Sequence, residues 1–229
     1  IRSLQEMMKI VPFKGRFFLT TEYLYNELGE YIQNNIDIDS IEIKNTIEKR
    51  GMGNKRDSFV RLNIRGVVSH KISTFQLLVA GDVNFEDINI QAFERVGGKQ
   101  KKLCARIADN GQDSLLKQVV VSYGKVKSPG SIVDLMIEWC WPNMLNITDC
   151  DYTTLPNFLA GTVKHLKMSL ECKEDIGFKS ASIYKYKVGM DKAQLILDVD
   201  MSEITDTISY EEDNPLMNST YILYYEVAR

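Results

Sequence analysis

The chain is organised around one stretch, which reads KLCARIADNGQ (Lys102–Gln112), DSLLKQVVVSYGKVKSPGS (Asp113–Ser131) and IVDLMIEWCWP (Ile132–Pro142). Apolar and polar residues alternate in it with a period of two, which is typical of β-strands. Turn-forming residues separate the strands at Asp109-Asn110-Gly111 and at Lys127-Ser128-Pro129-Gly130. The stretch therefore predicts strands joined by tight turns.

Similar alternation recurs on both sides of this stretch. The clearest example runs from Phe59 to Val68, where Val60, Leu62 and Ile64 alternate with polar residues. Further strands are predicted at Ile36–Lys44, Phe75–Ala80, Ile88–Val96, Leu166–Cys172, Ser180–Val188, Leu195–Val199 and Tyr221–Val227. A strand–helix–strand repeat is missing. The sequence thus predicts a mainly β fold, an antiparallel jelly-roll-like β-sandwich with one or two peripheral helices.

Helical signals are few. Thr21 can cap a helix over Glu22–Gln33, and a short helix is predicted near Leu155–Leu159 in an otherwise loop-like segment, 143–162. Near the N-terminus, Pro12 and Gly15 are expected to interrupt any regular element. We expect one domain overall, with residues 1–57 as an N-terminal arm and helix and residues 58–229 as the β-sandwich core.

Composition places the 229-residue chain among ordinary globular proteins, with 44% hydrophobic residues and a net charge of −3. The four cysteines form no C-x-x-C pair, so we expect buried free thiols in a reducing compartment. Neither a signal-peptide pattern nor an apolar run of about 20 residues occurs. With two histidines in the sequence, no metal site is predicted.

Charge is distributed unevenly along the chain. Between Lys44 and Lys127 there are 16 lysines and arginines against 8 acids, whereas Asp198–Asp213 carries 7 acids and no base. Such a separation can steer a polyanion to one face, and it is equally consistent with a solvated surface. The loop KRGMGNKR (Lys49–Arg56) is basic and glycine-rich, but it lacks the P-loop pattern. It is interpreted as a surface loop or as a loose contact with a nucleic-acid backbone.

Motifs of catalysis are missing: the sequence has neither G-x-S-x-G nor H-E-x-x-H. We therefore expect a protein that is not an enzyme, with carboxylates that converge only in space as the open alternative. Asp109 is interpreted as the start of an Asx-turn. Trp139 and Trp141 are interpreted as core and rim of the sandwich, or else as anchors for a partner or a base.

These residues resemble the 30K superfamily of plant virus cell-to-cell movement proteins, in particular the branch of tospoviruses and other negative-strand viruses. The resemblance covers about residues 100–188. It lies in an apolar strand that ends on Asp109, in Lys127-Ser128-Pro129 before a strand with Trp139 and Pro142, and in Gly177-Phe178-Lys179-Ser180-Ala181-Ser182-Ile183-Tyr184. The motifs are similar in order and spacing; each alone is short.

The resemblance implies a viral movement protein that carries RNA or nucleoprotein through plasmodesmata and self-associates, as many members of the family do in forming tubules. It implies a host location in the cytoplasm and at plasmodesmata, and it implies that no cofactor is needed. The implied partners are single-stranded RNA or the viral nucleocapsid protein, further copies of the chain, plasmodesmal proteins of the host, and peripherally a membrane. Asp109, Trp139 and Pro142 become structural motif positions. Nucleic-acid binding would fall to Arg50, Lys55, Arg56, Lys99, Lys101, Lys102 and Arg106. The alternative is a viral structural protein of matrix or capsid type.

Overall fold

The structure is a computed structural model that describes residues 10–13, 16–19, 35–48, 55–80, 87–108, 116–146, 150–157, 163–173, 177–187, 193–215 and 219–228. Within these residues the chain forms fifteen β-strands. They are β1 (Ile10–Phe13), β2 (Arg16–Leu19), β3 (Ile36–Glu48), β4 (Lys55–Val68), β5 (Ile72–Ala80), β6 (Gln91–Val96), β7 (Lys99–Ala108), β8 (Leu116–Lys127), β9 (Ile132–Asn146), β10 (Cys150–Asn157), β11 (Val163–Cys172), β12 (Gly177–Lys187), β13 (Gln194–Thr205), β14 (Thr207–Asp213) and β15 (Ser219–Ala228).

The strands form three sheets. A nine-stranded sheet has the order β14-β11-β3-β4-β9-β6-β7-β8-β5, a four-stranded sheet has the order β10-β15-β12-β13, and β1 pairs with β2. The pairing is antiparallel except between β3 and β11, which run parallel. The described part of the chain contains no α-helix, and no helix in it could cross a membrane. The fold is mainly β, as the sequence predicts.

The nine-stranded sheet curls. Three residues (69–71) connect β4 to β5, yet four strands lie between these two in the sheet. A connection of that length spans at most about 14 Å, whereas a flat sheet would hold the two strands roughly 24 Å apart. The turn after β8 is also hydrogen-bonded to the end of β4. Val68 N donates to Ser131 O (2.9 Å), and Gly130 N donates to Val68 O (2.8 Å). The β5 edge therefore returns toward β4.

One face of this sheet forms the core. Cross-strand neighbours on it make a continuous apolar row, namely Met168, Ile43, Leu62, Ile137, Ala92 and Leu103. All six are buried. The row arises because alternate residues of each strand point to one face, and register keeps the apolar sets together. The opposite face carries cross-strand ion pairs, for example between Lys44 and Glu171 and between Arg61 and Glu138.

The two larger sheets meet where β14 lies against β12 and β15. Lys185 Nζ lies 3.0 Å from Glu212 Oε1 and 4.9 Å from the centre of the Tyr221 ring. Tyr210 Oη donates to Glu212 Oε2 at 2.6 Å. Burial has the largest single effect on the pKa of Glu212 and would raise it. The hydrogen bonds from Tyr210 and Lys185, with the charge of Lys185, together outweigh burial, so the pKa is lowered. This group joins the sheets through a partly buried ion pair and two aromatic rings.

Several sequence predictions need correction. Leu155 is part of strand β10, where it pairs with Tyr221, so the helix predicted near it is wrong. Pro12 lies in β1, which forms a hairpin with β2, because proline is tolerated where the strand needs no donor. The boundary predicted at residue 57 falls inside β4, and β3 belongs to the nine-stranded sheet. The helix predicted over Glu22–Gln33 lies outside the described residues.

The cysteines differ from the prediction of four buried thiols. Cys172 is buried, Cys140 is half-buried and Cys104 is exposed on β7. Burial, with a smaller contribution from the Asp206 charge, raises the pKa of the Cys172 thiol to about 12, although the charge of Arg56 opposes this rise. Cys150 has a side chain outside the described residues.

This difference predicts selective alkylation. We expect iodoacetamide at pH 8 to modify Cys104 in the folded protein and to leave Cys172 unmodified, because a buried thiol with a raised pKa presents almost no thiolate. Peptide mass spectrometry would measure each site separately. Labelling in urea provides the control, in which both thiols should react. Modification of native Cys172 as fast as Cys104 would contradict the described core.

Candidate nucleic-acid interface

The exposed hairpin formed by β6 and β7 carries most of the described candidate bases. Its two-residue turn, Gly97-Gly98, has φ angles of 57° and 77°, and this left-handed conformation suits glycine and the twist of a tight hairpin. Val96 pairs with Lys99 directly beside the turn. Every residue from Arg95 to Lys102 is exposed. The turn chemistry therefore projects the hairpin tip into solvent.

The hairpin presents its bases on both faces. Lys102, Cys104 and Arg106 alternate with Leu103, which is buried, so they share the solvent face of β7. Lys99 and Lys101 point to the other face, at the exposed end of the hairpin. None of Lys99, Lys101, Lys102 and Arg106 forms an ion pair within the described part of the chain. These four residues are called the hairpin cations below.

The acid of this hairpin does not neutralise them. Glu94 is the single carboxylate between Gln91 and Ala108, and it is buried in contact with Lys127 Nζ. The two side chains form an ion pair, but the angle at which they meet is outside the range of a hydrogen bond. Glu94 Oε1 therefore has no hydrogen-bond partner among the described residues. Arg95 has its own partner, Asp134, at 3.6 Å. The exposed surface of the hairpin is consequently strongly positive.

The Glu94–Lys127 pair also fixes the base of the hairpin. Lys127 Nζ donates to Ile132 O at 3.4 Å and lies 5.1 Å from the centre of the Tyr123 ring. Burial, and then the charge of Glu94, raises the pKa of Tyr123 well above its ordinary range. The group ties β6 to β8 and β9 inside the curl. Lys127 belongs to the quoted turn motif, but nothing in the sequence pointed to Glu94 or Tyr123 as its partners.

Several other bases of the nine-stranded sheet are already paired, whereas Arg65 and Lys125 are exposed without an ion pair among the described residues. Lys44 Nζ lies 2.6 Å from Glu171, Arg61 Nε 2.6 Å from Glu138, and Lys164 Nζ 2.6 Å from Asp39. Lys167 pairs with Glu211 in the same way, and their hydrogen bond is the largest cause of the raised pKa of Lys167 and the lowered pKa of Glu211. The local excess of bases in the sequence is thus partly neutralised by cross-strand acids.

The remaining residues predicted to bind nucleic acid lie outside this hairpin. Arg56 has no exposed surface, and its predicted contact with a nucleic-acid backbone is wrong for this position. It lies in β4, because the strand begins earlier than the glycine-rich loop suggested. Lys55 begins the same strand, with its side chain outside the described residues. Arg50 and the motif residue Asp109 are also outside them.

The motif residues of β9 are structural. Trp139 and Trp141 are both buried on the core face, so they fit the core interpretation and cannot stack on a base from there. Pro142 lies at a register shift, where Ser58 pairs with Trp141 but Arg56 pairs with Leu145. A bulge of this kind accommodates a proline that cannot donate a ladder hydrogen bond.

Within the described residues, no group of three or more histidines, cysteines or acids could hold a metal ion. The acidic strand β14 is not a separate negative surface, since Glu211, Glu212 and Asp213 pair with Lys167, Lys185 and His165. The hairpin cations therefore form the clearest unneutralised charge in this sheet. Their arrangement suits electrostatic contact with a polyanion and offers no catalytic group.

Comparison with known proteins adds little. No protein-family model and no curated protein matches the sequence. The structure superposes on the M1 zinc metallopeptidase from Deinococcus radiodurans with 11% identity and a TM-score of 0.43, covering 83% of this chain and 42% of that one. It superposes on the native yeast LTA4 hydrolase with 10% identity and a TM-score of 0.42, covering 83% and 29%. The chain thus spans less than half the length of either protein, and likenesses this distant carry no argument about its fold or activity.

Proposed function

We propose that this protein is a non-catalytic module that binds single-stranded nucleic acid without sequence preference through the hairpin cations. The supporting observation is the exposure of Lys99, Lys101, Lys102 and Arg106 on a hairpin whose one acid is buried. Phosphate contacts by lysine and arginine release counterions and give affinity without base readout. Both tryptophans are buried, so stacking by them makes no contribution.

The wider role rests on the resemblance to the 30K movement proteins. We propose that the protein carries viral RNA or nucleoprotein between plant cells, acting at plasmodesmata with further copies of itself and with host proteins. A jelly-roll-like relationship between its sheets belongs to this proposal. The alternative, a viral structural protein of matrix or capsid type, is favoured by β13: this edge strand exposes Leu195, Ile196 and Leu197 to solvent. Ordered assemblies formed without nucleic acid would support the alternative.

Salt dependence gives the first test of RNA binding. If the hairpin cations contact four phosphates, the affinity for single-stranded RNA should fall roughly 50-fold between 50 and 200 mM salt, from a slope of about −0.7 per contact. Replacing all four by glutamine should remove most of the binding and most of this slope. Fluorescence anisotropy with a labelled RNA of mixed sequence measures both quantities.

A matched control removes four other cations that already have acidic partners. Lys44, Arg61, Lys164 and Lys167 are replaced by glutamine, which changes the net charge equally. This control should retain most of the affinity. Equal losses in both variants would show that net charge rather than the hairpin governs binding, and would contradict the proposal.

In leaves, the wild type should restore the spread of a movement-deficient virus, whereas the hairpin variant should not.

A further inference from the structure

Phe93 is an aromatic residue on the solvent face of the nine-stranded sheet. It alternates with Ala92 and Glu94, which are both buried on the core face, so its ring lies on the other side of β6. The residues directly opposite on the neighbouring strands are Met136 of β9 and Lys102 of β7. Phe93 is half-buried, and part of it therefore remains in contact with solvent.

The neighbours of this ring hold it in place. Opposed side chains of antiparallel strands have Cβ atoms about 4.5–5.5 Å apart, so Met136 lies within contact distance of the ring. Met136 is itself buried, and Arg95 contacts it: Arg95 Nη2 donates to Met136 Sδ at 3.7 Å, while Arg95 Nη1 lies 3.6 Å from Asp134 Oδ1. The ring is therefore positioned by a strand and by packed side chains, as a recognition surface requires.

Cations without an acidic partner lie on the same face as the ring. Lys102 is directly opposite Phe93, and Arg106 follows on the same face of β7, about 13 Å further along the strand. Arg65 lies on β4, at the far side of β9. All three are exposed, and none forms an ion pair among the described residues. The half-buried ring thus lies between cations on β7 and on β4.

We propose that Phe93 stacks on a base of the single-stranded nucleic acid whose phosphates contact Lys102 and Arg106. Every base has a π-face, so such a ring adds affinity without sequence preference. In a double helix the bases stack on one another and offer no free face, so the ring discriminates against duplexes. The inference rests on the proposed function and assigns its preference for single strands to one residue, which the hairpin cations cannot supply because both kinds of nucleic acid carry phosphates.

Three labelled DNA oligonucleotides test this stacking on the full chain by fluorescence anisotropy. They are a single strand of mixed sequence, a strand of equal length that lacks every base, and the duplex of the first strand. Phe93→Leu keeps an apolar side chain beside Met136 but removes the ring. We expect it to bind the base-carrying single strand roughly five- to tenfold less tightly than the wild type. The abasic strand and the duplex should not distinguish the two proteins. The salt slope should stay unchanged, because no phosphate contact is removed.

Phe59→Leu is the matched control, since Phe59 is another half-buried phenylalanine on the solvent face of this sheet, between Thr46 and Cys140. It should bind like the wild type, and so should Phe93→Tyr, which keeps a ring. Circular dichroism and thermal unfolding confirm that each variant is folded.

The outcomes separate this inference from the function on which it rests. Tight binding of the base-carrying strand by both the wild type and Phe93→Leu would overturn the stacking and leave the hairpin cations in their role. A loss in Phe93→Leu that is equally large for the abasic strand would also overturn it, because the substitution would then act on phosphate contacts. A wild type that binds none of the three oligonucleotides would overturn the proposed function and the stacking together.

Discussion

Lys127→Met is expected to destabilise the protein by about 3–5 kcal/mol, because it leaves Glu94 buried without its counter-ion. The same change removes the hydrogen bond to Ile132 O and the contact with the Tyr123 ring. Urea unfolding measures the loss as a lower midpoint. Lys125→Met is the control: this lysine is exposed two residues earlier, and its replacement should change stability by less than about 0.5 kcal/mol.

The double variant Glu94→Leu/Lys127→Met separates the ion pair from packing. Replacing a buried pair by apolar side chains of similar volume is often neutral, so the double variant should recover most of the stability lost in Lys127→Met. The coupling from the resulting double-mutant cycle should be large and favourable. Two single losses that simply add would mean that Glu94 and Lys127 do not act as a pair. Equal stability of Lys127→Met and Lys125→Met would show that Lys127 is not buried.

Gly66→Ala is expected to cost about 3 kcal/mol, because β3 packs against the place where a side chain would stand. A Cβ at residue 66 would collide with the carbonyl oxygen of Asp37 and would lie 2.9 Å from Ile36 Cγ2 and 3.0 Å from Ile38 Cα. Two of these obstacles are backbone atoms, which cannot rotate away. The added methyl group must push β3 away from β4, beside the register shift between Ile38 and Ser40.

Thermal unfolding measures this effect, and 3 kcal/mol corresponds to a Tm lower by roughly 6–12 °C for a chain of this size. Gly124→Ala is the comparison. Gly124 has a φ of 71° but open space around its Cα, so alanine there should cost about 1 kcal/mol from backbone strain alone. If Gly66→Ala melted at the same temperature as Gly124→Ala, the close approach of β3 and β4 would be wrong.

The sequence predicts strands best where one face is apolar and the other polar. On β7, the predicted alternation agrees with burial, since Leu103 is buried and Arg106 is exposed. It misses β14, because the acidic stretch Asp198–Asp213 was interpreted as a steering charge or a solvated surface and no strand was predicted at its end. Glu211 and Glu212 are tolerated in that strand because Lys167 and Lys185 approach from other strands. Partners of this kind are set by tertiary structure and leave no local pattern.

The candidate site shows the same limit. Exposed bases at a hairpin tip follow from the Gly97-Gly98 turn, which the sequence displays. The burial of Arg56 and the pairing of Lys127 with Glu94 do not follow, because charged residues in a strand look alike whether they face water or an ion pair. A linear sequence also cannot show that the end of β4 lies beside the turn after β8.

The parallel pairing of β3 with β11 has a consequence for how the chain folds during synthesis. Strand β3 is complete at Glu48, but the neighbour that covers its second edge begins at Val163. A ribosome adding 5–20 residues per second needs on the order of ten seconds for that interval. The four-stranded sheet is completed later still, because its interior strand β15 contains the last residues described. A nascent chain of this protein therefore carries open strand edges until β15 has been synthesised, and chaperones or an early partner would protect it most during that time.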